Sequence, residues 1–206
     1  LRTPRKVAAL YVDPVRGPYS ARKGVDLWGV ARDATKFAGF KPVVAHPPCG
    51  PWGRFYWRYK GGEGSAEAGL RAVEQVRNCG GVLEHPAQSN LWGKASKRRK
   101  SYSTRLQGVP DLPLPGEPPD KYGGYTIEVN QVDWGHAALK PTWLYIVGVP
   151  RAKLPRMPTP RAPTHVIVRK RSNPNELPEL RKSLRHVTPP AFADWLLQVA
   201  RASRKG

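Results

Sequence analysis

Cys49 lies in the run His46-Pro47-Pro48-Cys49-Gly50-Pro51-Trp52-Gly53, directly after the apolar residues Val43-Val44-Ala45. Prolines cannot donate to a sheet and stiffen the chain, so the thiol is fixed on a rigid turn at the mouth of a short buried strand, which is how a nucleophile is presented. The alternative is a Pro/Gly loop whose small thiol merely packs, because reactivity needs a favourable pKa as well as position. A second polar group is placed the same way: Glu84 ends the apolar run Gly81-Val82-Leu83 and is followed by His85-Pro86. In open parallel sheets, functional groups collect at the carboxyl ends of strands. If the two strands are neighbours, thiol and carboxyl face one cleft, with Lys140 reaching in from a later hairpin.

The elements that would position these groups are legible as short runs. Val7 to Val12 reads as a strand ending at Asp13-Pro14, and Val43 to Ala45 as another. Ala66, Leu70, Val73 and Val76 recur at helical spacing, with Ser65 as N-cap and Gly80 just past the end, so strand, helix and strand form a right-handed crossover in a parallel sheet. Thr126 to Val132 and Thr142 to Gly148 read as a late antiparallel pair joined through Trp134-Gly135-His136. A last amphipathic helix starts at Thr188-Pro189, with Thr188 as cap and Pro189 at its first position, and carries Phe192, Trp195, Leu196 and Val199. Its basic tail from Arg201 is expected to fray. The alternation of strands and helices predicts an α/β sandwich.

At 206 residues, one domain spanning 1–206 is the simplest count, with Pro-rich basic loops on the surface at 94–124 and 149–186. Thirty-five Lys and Arg against fifteen Asp and Glu give a net charge of +20. Such a charge is self-repulsive without a polyanion, so nucleic acid is the leading partner class and an anionic membrane surface the weaker one. The clusters at 94–100, with Lys97, Arg98, Arg99 and Lys100, and at 169–171, with Arg169 and Arg171, are suited to phosphates, or else form solvated charge runs. Arg54 and Arg58 interleave with Trp52, Phe55, Trp57 and Tyr59, a basic-aromatic stretch suited to strand contact and to replacing a displaced base. Two cysteines exclude a disulfide scaffold, and five scattered histidines give no metal-ligand spacing. No stretch approaches twenty apolar residues, and the first six lack the apolar core of a signal peptide, so the chain is expected to be soluble and intracellular.

Four blocks in order give these residues a family resemblance. HPPCGPWG at 46–53 resembles the Pro-Cys nucleophile motif of the DNA cytosine-5 methyltransferases, and GGVLEHP at 80–86 resembles their Glu-Asn-Val motif, Glu84 arriving 35 residues after Cys49. VNQVDWGHAALKPTWLYIVG at 129–148 is similar to the strand, turn, basic residue and strand that carry the family's Gln-x-Arg-x-Arg motif. VTPPAFADWLLQVA at 187–200 is similar to the motif that leads into the last helix. The resemblance implies a shortened, phage-type member: a Rossmann-like methyltransferase-type sandwich with a mostly parallel central sheet and a late antiparallel hairpin.

It also implies roles. Cys49 would add to C6 of a pyrimidine flipped out of double-stranded DNA, and Glu84, if burial raises its pKa, would hold a proton at N3. Lys140, in the place of the first motif arginine, would steady O2. Departures are Thr142 for the second arginine and Ala138 for the glutamine. The implied methyl donor is S-adenosylmethionine, yet LYVDPVRGPYS lacks the family's glycine-rich turn, and the interval from Asp13 to Val43 is too short for two full βα units, so the cofactor half is truncated. Asp13, Asp33 and Thr188 are the residues left to contact a cofactor; the two aspartates read equally as turn and cap residues. The region between the hairpin and the last helix is short, which implies a protein partner for sequence recognition. Two rival functions stay open: a DNA hypermodification enzyme using another carbon donor such as a folate, and a non-catalytic basic DNA-binding protein on the same fold.

Overall fold

The computed structural model describes residues 5–53, 56, 59–61, 64–98, 108–168 and 177–205, with the side chains at 64 and 96–98 left undescribed. Six strands form one mixed sheet: β1 (Val7–Leu10), β2 (Val25–Trp28), β3 (Val43–Ala45), β4 (Gly81–Pro86), β5 (Tyr125–Asn130) and β6 (Pro141–Val147), in the order β2-β1-β3-β4-β6-β5. The pairs β1/β2, β1/β3 and β3/β4 are parallel, while β6 runs antiparallel to both of its neighbours. The helices are α1 (Gly64–Cys79), α2 (Gly93–Arg98) and α3 (Pro190–Arg201).

Alternation along the strands splits the core in two, as a period of two requires. Ala8, Leu10, Val43, Ala45 and Leu83 point to the face covered by α1, where they meet Ala72, Val73 and Val76. Val7, Ala9, Val44 and Val82 point to the opposite face, covered by α3 through Phe192, Leu196 and Val199. Trp134 seals the far edge of α3, its ring 4.9 Å from Phe192 and 5.3 Å from Trp195. Together these layers make an α/β sandwich with a mostly parallel sheet. No helix among the described residues is long and apolar enough to cross a membrane.

The crossover from β3 through α1 to β4 follows the sequence pattern. Gly80 adopts φ +72° just past α1, the left-handed turn that ends a helix. At Gly81 a Cβ would lie 2.0 Å from the Val43 carbonyl oxygen, so the absence of a side chain lets β4 close onto β3. Several boundaries differ from expectation. β1 ends at Leu10 because Tyr11 turns to φ +61°. Ser65 lies inside the first turn of α1 rather than capping it, and its Oγ accepts a hydrogen bond from the Tyr59 hydroxyl at 3.0 Å. The start of α3 shifts by one residue, with Pro189 as cap and Pro190 at the first position.

The tail after Arg201 is pinned rather than frayed. Arg5 donates to the carbonyls of Ser203 and Lys205, Arg204 N donates to Gly148 O, and Lys205 Nζ reaches Arg77 O at 2.9 Å. Parts of the Pro-rich loops are also structural: Leu112 and Leu114 are buried in the α1-side core, and Trp195 Nε1 donates to the Pro155 and Arg156 carbonyls.

Strand β2 has no counterpart among the expected elements. It pairs with β1 at the sheet edge and all four of its residues are half-buried. Asp26 in its middle binds Lys41 and Arg32, each at 2.7 Å. Burial works against ionisation of Asp26, but hydrogen bonds from Lys41 and Arg32 outweigh it and hold its pKa at about 2. A carboxylate depressed in the folded state stabilises above its unfolded value and loses that contribution as pH falls through the folded one. Asp26→Asn is therefore expected to lower the urea midpoint at pH 7 by the equivalent of about 1 kcal/mol, screening by solvent included. The gap to wild type should close between about pH 4 and pH 2.

Candidate active site

Strands β3 and β4 are hydrogen-bonded neighbours, so their carboxyl ends deliver His46 to Cys49 and Glu84 to Pro86 to the same side of the sheet. The reversed strand β6 begins where β4 ends, with Thr142 opposite Pro86, which brings Lys140 to that same place from the opposite chain direction. The result is a cavity of about 1040 Å³ lined by Cys49, Glu84 and Lys140 together. Its far wall is the turn after β1, including Asp13, Arg16 and Tyr19, and it is covered by Arg185, His186 and Thr188 from the segment before α3. Lys140 ties site to cover, its Nζ donating to Val187 O at 3.3 Å.

Glu84 is the centre of a hydrogen-bond chain. His46 Nδ1 lies 2.9 Å from Glu84 Oε2, and Tyr19 Oη lies 2.7 Å from His46 Nε2. On the other side, Gln131 Nε2 donates to Glu84 Oε1 at 2.9 Å and to Thr142 Oγ1 at 3.0 Å. Thr142 Oγ1 in turn donates to Lys140 O, and Asn130 Oδ1 accepts from Lys140 N at 2.9 Å. The lysine is thus held from its backbone by the turn that joins β5 to β6.

This chain overturns one expectation. Burial tends to raise the Glu84 carboxyl, but the hydrogen bond and electrostatic pull of His46, with the charge of Lys140, prevail, so its pKa falls below the ordinary value. Glu84 is therefore a carboxylate at neutral pH, not a stored proton. Cys49 shifts the opposite way: burial pushes the thiol up and the Glu84 charge adds to it, with Lys140 too weak to reverse them. Burial also lowers the pKa of Lys140, against the pull of Glu84. His85 is fully buried, and desolvation drops its pKa to about 4, so its ring is neutral. The site at rest holds a protonated thiol beside an ionised carboxylate, so the thiol needs a base before it can attack.

The residues expected to bind a cofactor separate. Thr188 and Asp13 line the cavity, but Asp13 is exposed and its Oδ1 accepts from Val15 N at 2.8 Å and Arg16 N at 3.0 Å. Asp33 does not line it; its carboxylate caps the turn Ala34–Lys36, accepting from Thr35 N and Oγ1 and pairing with Lys36. Between β1 and β3, all of it described, the chain forms turns, the edge strand β2 and one 3-10 turn, with no α-helix. The turn after β1 closes on itself, Gly17 N donating to Asp13 O, where a Gly17 Cβ would lie 2.3 Å from that oxygen.

Of the residues expected to contact DNA, Arg54, Arg58, Arg99, Lys100, Arg169 and Arg171 lie outside the described residues. Lys97 and Arg98 end α2, and their side chains lie outside the description too. Among the described residues no group of three or more His, Cys, Asp or Glu is placed to hold a metal ion.

Sequence reasoning did not single out Tyr19, His46 or Gln131, which the structure joins to Glu84 through hydrogen bonds. His46 and Gln131 stand inside the blocks that carry the resemblance, three residues before Cys49 and two after Val129, so proximity to a motif was their only signal. Tyr19, in a Gly-Pro turn, had none. In comparison with known proteins, the chain matches no protein-family model, and no curated protein is significantly similar to it.

Proposed function

We propose that this protein modifies C5 of a pyrimidine swung out of duplex DNA, in the manner of a DNA cytosine-5 methyltransferase, by way of a covalent adduct between Cys49 and C6. The observation that carries the reading is that Cys49, Glu84 and Lys140, drawn from three separate blocks of sequence, line one cavity. The strand order supports it, because a reversed strand set between β4 and the last parallel strand β5 suits a Rossmann-like methyltransferase-type sandwich. The net charge of +20 suits a polyanionic substrate.

The chemistry needs little else from the chain. Sulfur adds to C6, and the electrons of the C5–C6 double bond become available at C5, which then attacks an electrophilic carbon. Loss of the C5 proton and cleavage of the S–C6 bond restore the aromatic ring. Lys140 Nζ, a compact donor, suits the O2 position, though it orients a base less firmly than a forked guanidinium. DNA containing 2-pyrimidinone in place of one cytosine tests this directly, since it accepts a thiol at C6 without any carbon donor. A denaturation-resistant complex is the expected result. No complex under any condition would favour the basic DNA-binding protein instead.

The residues present do not fit S-adenosylmethionine well. The turn after β1 is closed by its own aspartate, no helix follows it, and Asp33 is committed to a cap away from the cavity. That specific misfit favours the second reading, a hypermodification enzyme with a different carbon donor such as a folate. Calorimetric titration with S-adenosylmethionine is expected to give no saturable heat up to about 1 mM. A dissociation constant tighter than roughly 10 µM would restore it as the donor.

A further inference from the structure

We propose that His46 and Glu84 act as one proton-holding pair, loaded from the Cys49 thiol and discharged to N3 of the bound base, with Tyr19 keeping the imidazole in place in both charge states. The inference rests on the reading of the cavity as a pyrimidine site and names how that site moves its proton.

Both oxygens of Glu84 already accept hydrogen bonds, Oε2 from His46 and Oε1 from Gln131. A carboxyl that gives a proton to N3 must first receive one. The Gln131 amide cannot release a proton, whereas an imidazolium at His46 can. Glu84 therefore draws on His46, and His46 acts through Glu84 as a positioning and supplying residue.

The partner at the far nitrogen fits this use. A backbone carbonyl at His46 Nε2 would favour the charged ring and a backbone N–H the neutral one. A hydroxyl does either: Tyr19 Oη, 2.7 Å away, donates to a bare Nε2 or accepts from a protonated one by rotating its hydrogen. Tyr19 is itself fixed, buried to 1% exposure, with the Arg22–Asp194 ion pair behind it. Its own proton is not on offer, because burial holds its pKa well above 10. The other charged or titratable groups that face the pair are Cys49 after β3, His85 on β4, Lys140 before β6, and Tyr11, Asp13, Arg16, Arg185 and His186 on the cavity wall.

The balance closes without an external acid. The S–H bond breaks, the S–C6 bond forms, and the C5–C6 and C4–N3 π electrons shift so that N3 takes up one proton. The thiol proton passes to the pair, which holds it as imidazolium and carboxylate, and leaves from Glu84 to N3. Reversal of the adduct returns it.

Deuterium uptake at C5 of cytosine in a DNA duplex in D2O reads this step, since it requires adduct formation and reversal but no carbon donor. His46→Asn keeps an N–H toward Glu84 yet cannot titrate. It is expected to slow exchange by about 100-fold and to remove one inflection from the pH profile. Tyr19→Phe should slow it by a smaller factor and move that inflection. Exchange by His46→Asn within threefold of wild type, with an unchanged profile, overturns the proposal.

If the wild-type protein exchanges nothing, the pyrimidine reading fails by itself, and the pair is still judged by NMR of the free wild-type protein. The Glu84 carboxyl carbon is then expected to respond to the same titration as the His46 ring nitrogens. Two independent midpoints would reject the pair.

Discussion

Cys49→Ala is expected to reduce adduct formation with 2-pyrimidinone DNA to below about one-thousandth of the wild-type rate, the order of loss seen when a covalent nucleophile is deleted. Folding should survive the change. Cys49 is only partly covered and stands on a turn rather than in either half of the core, so the thermal midpoint should move by the equivalent of less than about 1 kcal/mol. The contrast with Cys79→Ala makes the measurement specific. Cys79 packs into the α1-side core, and its thiol donates to Gly39 O, so its removal should lower stability and leave the adduct intact. Loss of the adduct in both variants, or in neither, would sink the assignment of Cys49.

Glu84→Gln is expected to slow the same adduct by roughly 100- to 10,000-fold, the range for deleting a positioned proton-transfer group. It should also cost stability, because it leaves His46 and Lys140 facing a neutral amide where a carboxylate stood. For a hydrogen bond to charged groups in a buried setting, that cost is on the order of 1–3 kcal/mol at pH 7. The pH dependence gives the sign. The folded pKa of Glu84 is depressed, so its contribution is complete above the unfolded carboxylate value of about 4.3 and is lost as pH falls through the lower folded value. Urea midpoints of wild type and variant should therefore differ at pH 7 and converge toward pH 3. A gap that widened on acidification would mean that Glu84 is buried as a neutral acid.

Both results depend on features that differ in how far the sequence discloses them. The strands β3 and β4, the helix between them and the β5–β6 hairpin were legible because each is a short apolar run bounded by Gly or Pro, the strongest local punctuation a chain has. Strand β2 was not. Val25-Asp26-Leu27-Trp28 is half-buried and carries a charge in its middle, and only its pairing with β1 and the cations Arg32 and Lys41 make it a strand. Leu112 and Leu114 were hidden in a Pro-rich stretch without periodicity, where burial is a property of the assembled core.

The site shows the same division. That Cys49 and Glu84 would share a cleft followed from two parallel runs each ending in a polar residue. The charge of Glu84 did not follow, because it is decided chiefly by His46 and Lys140, which approach from two other segments. Burial alone predicts a neutral acid, and the partners invert it. The sense of a pKa shift is thus a property of the tertiary neighbours, whereas the position of the group is a property of the local run.

The reversed direction of β6 bears on the order in which the molecule assembles. Strand β5 is made before β6 yet touches the sheet only through it. It has no edge to join until residues 141–147 exist, and the first pairing open to it is the local one across the short Gln131–Lys140 connection. Local contacts form quickly and distant ones slowly. The hairpin is therefore expected to form before it docks onto β4, and docking would then carry Lys140 and Gln131 to Glu84 together. On that order the charged centre of the cavity is completed late: β1 to β4 hold Glu84 with His46 beside it, the hairpin adds Lys140 and Gln131, and pulsed hydrogen exchange during refolding should show β5 and β6 protected together.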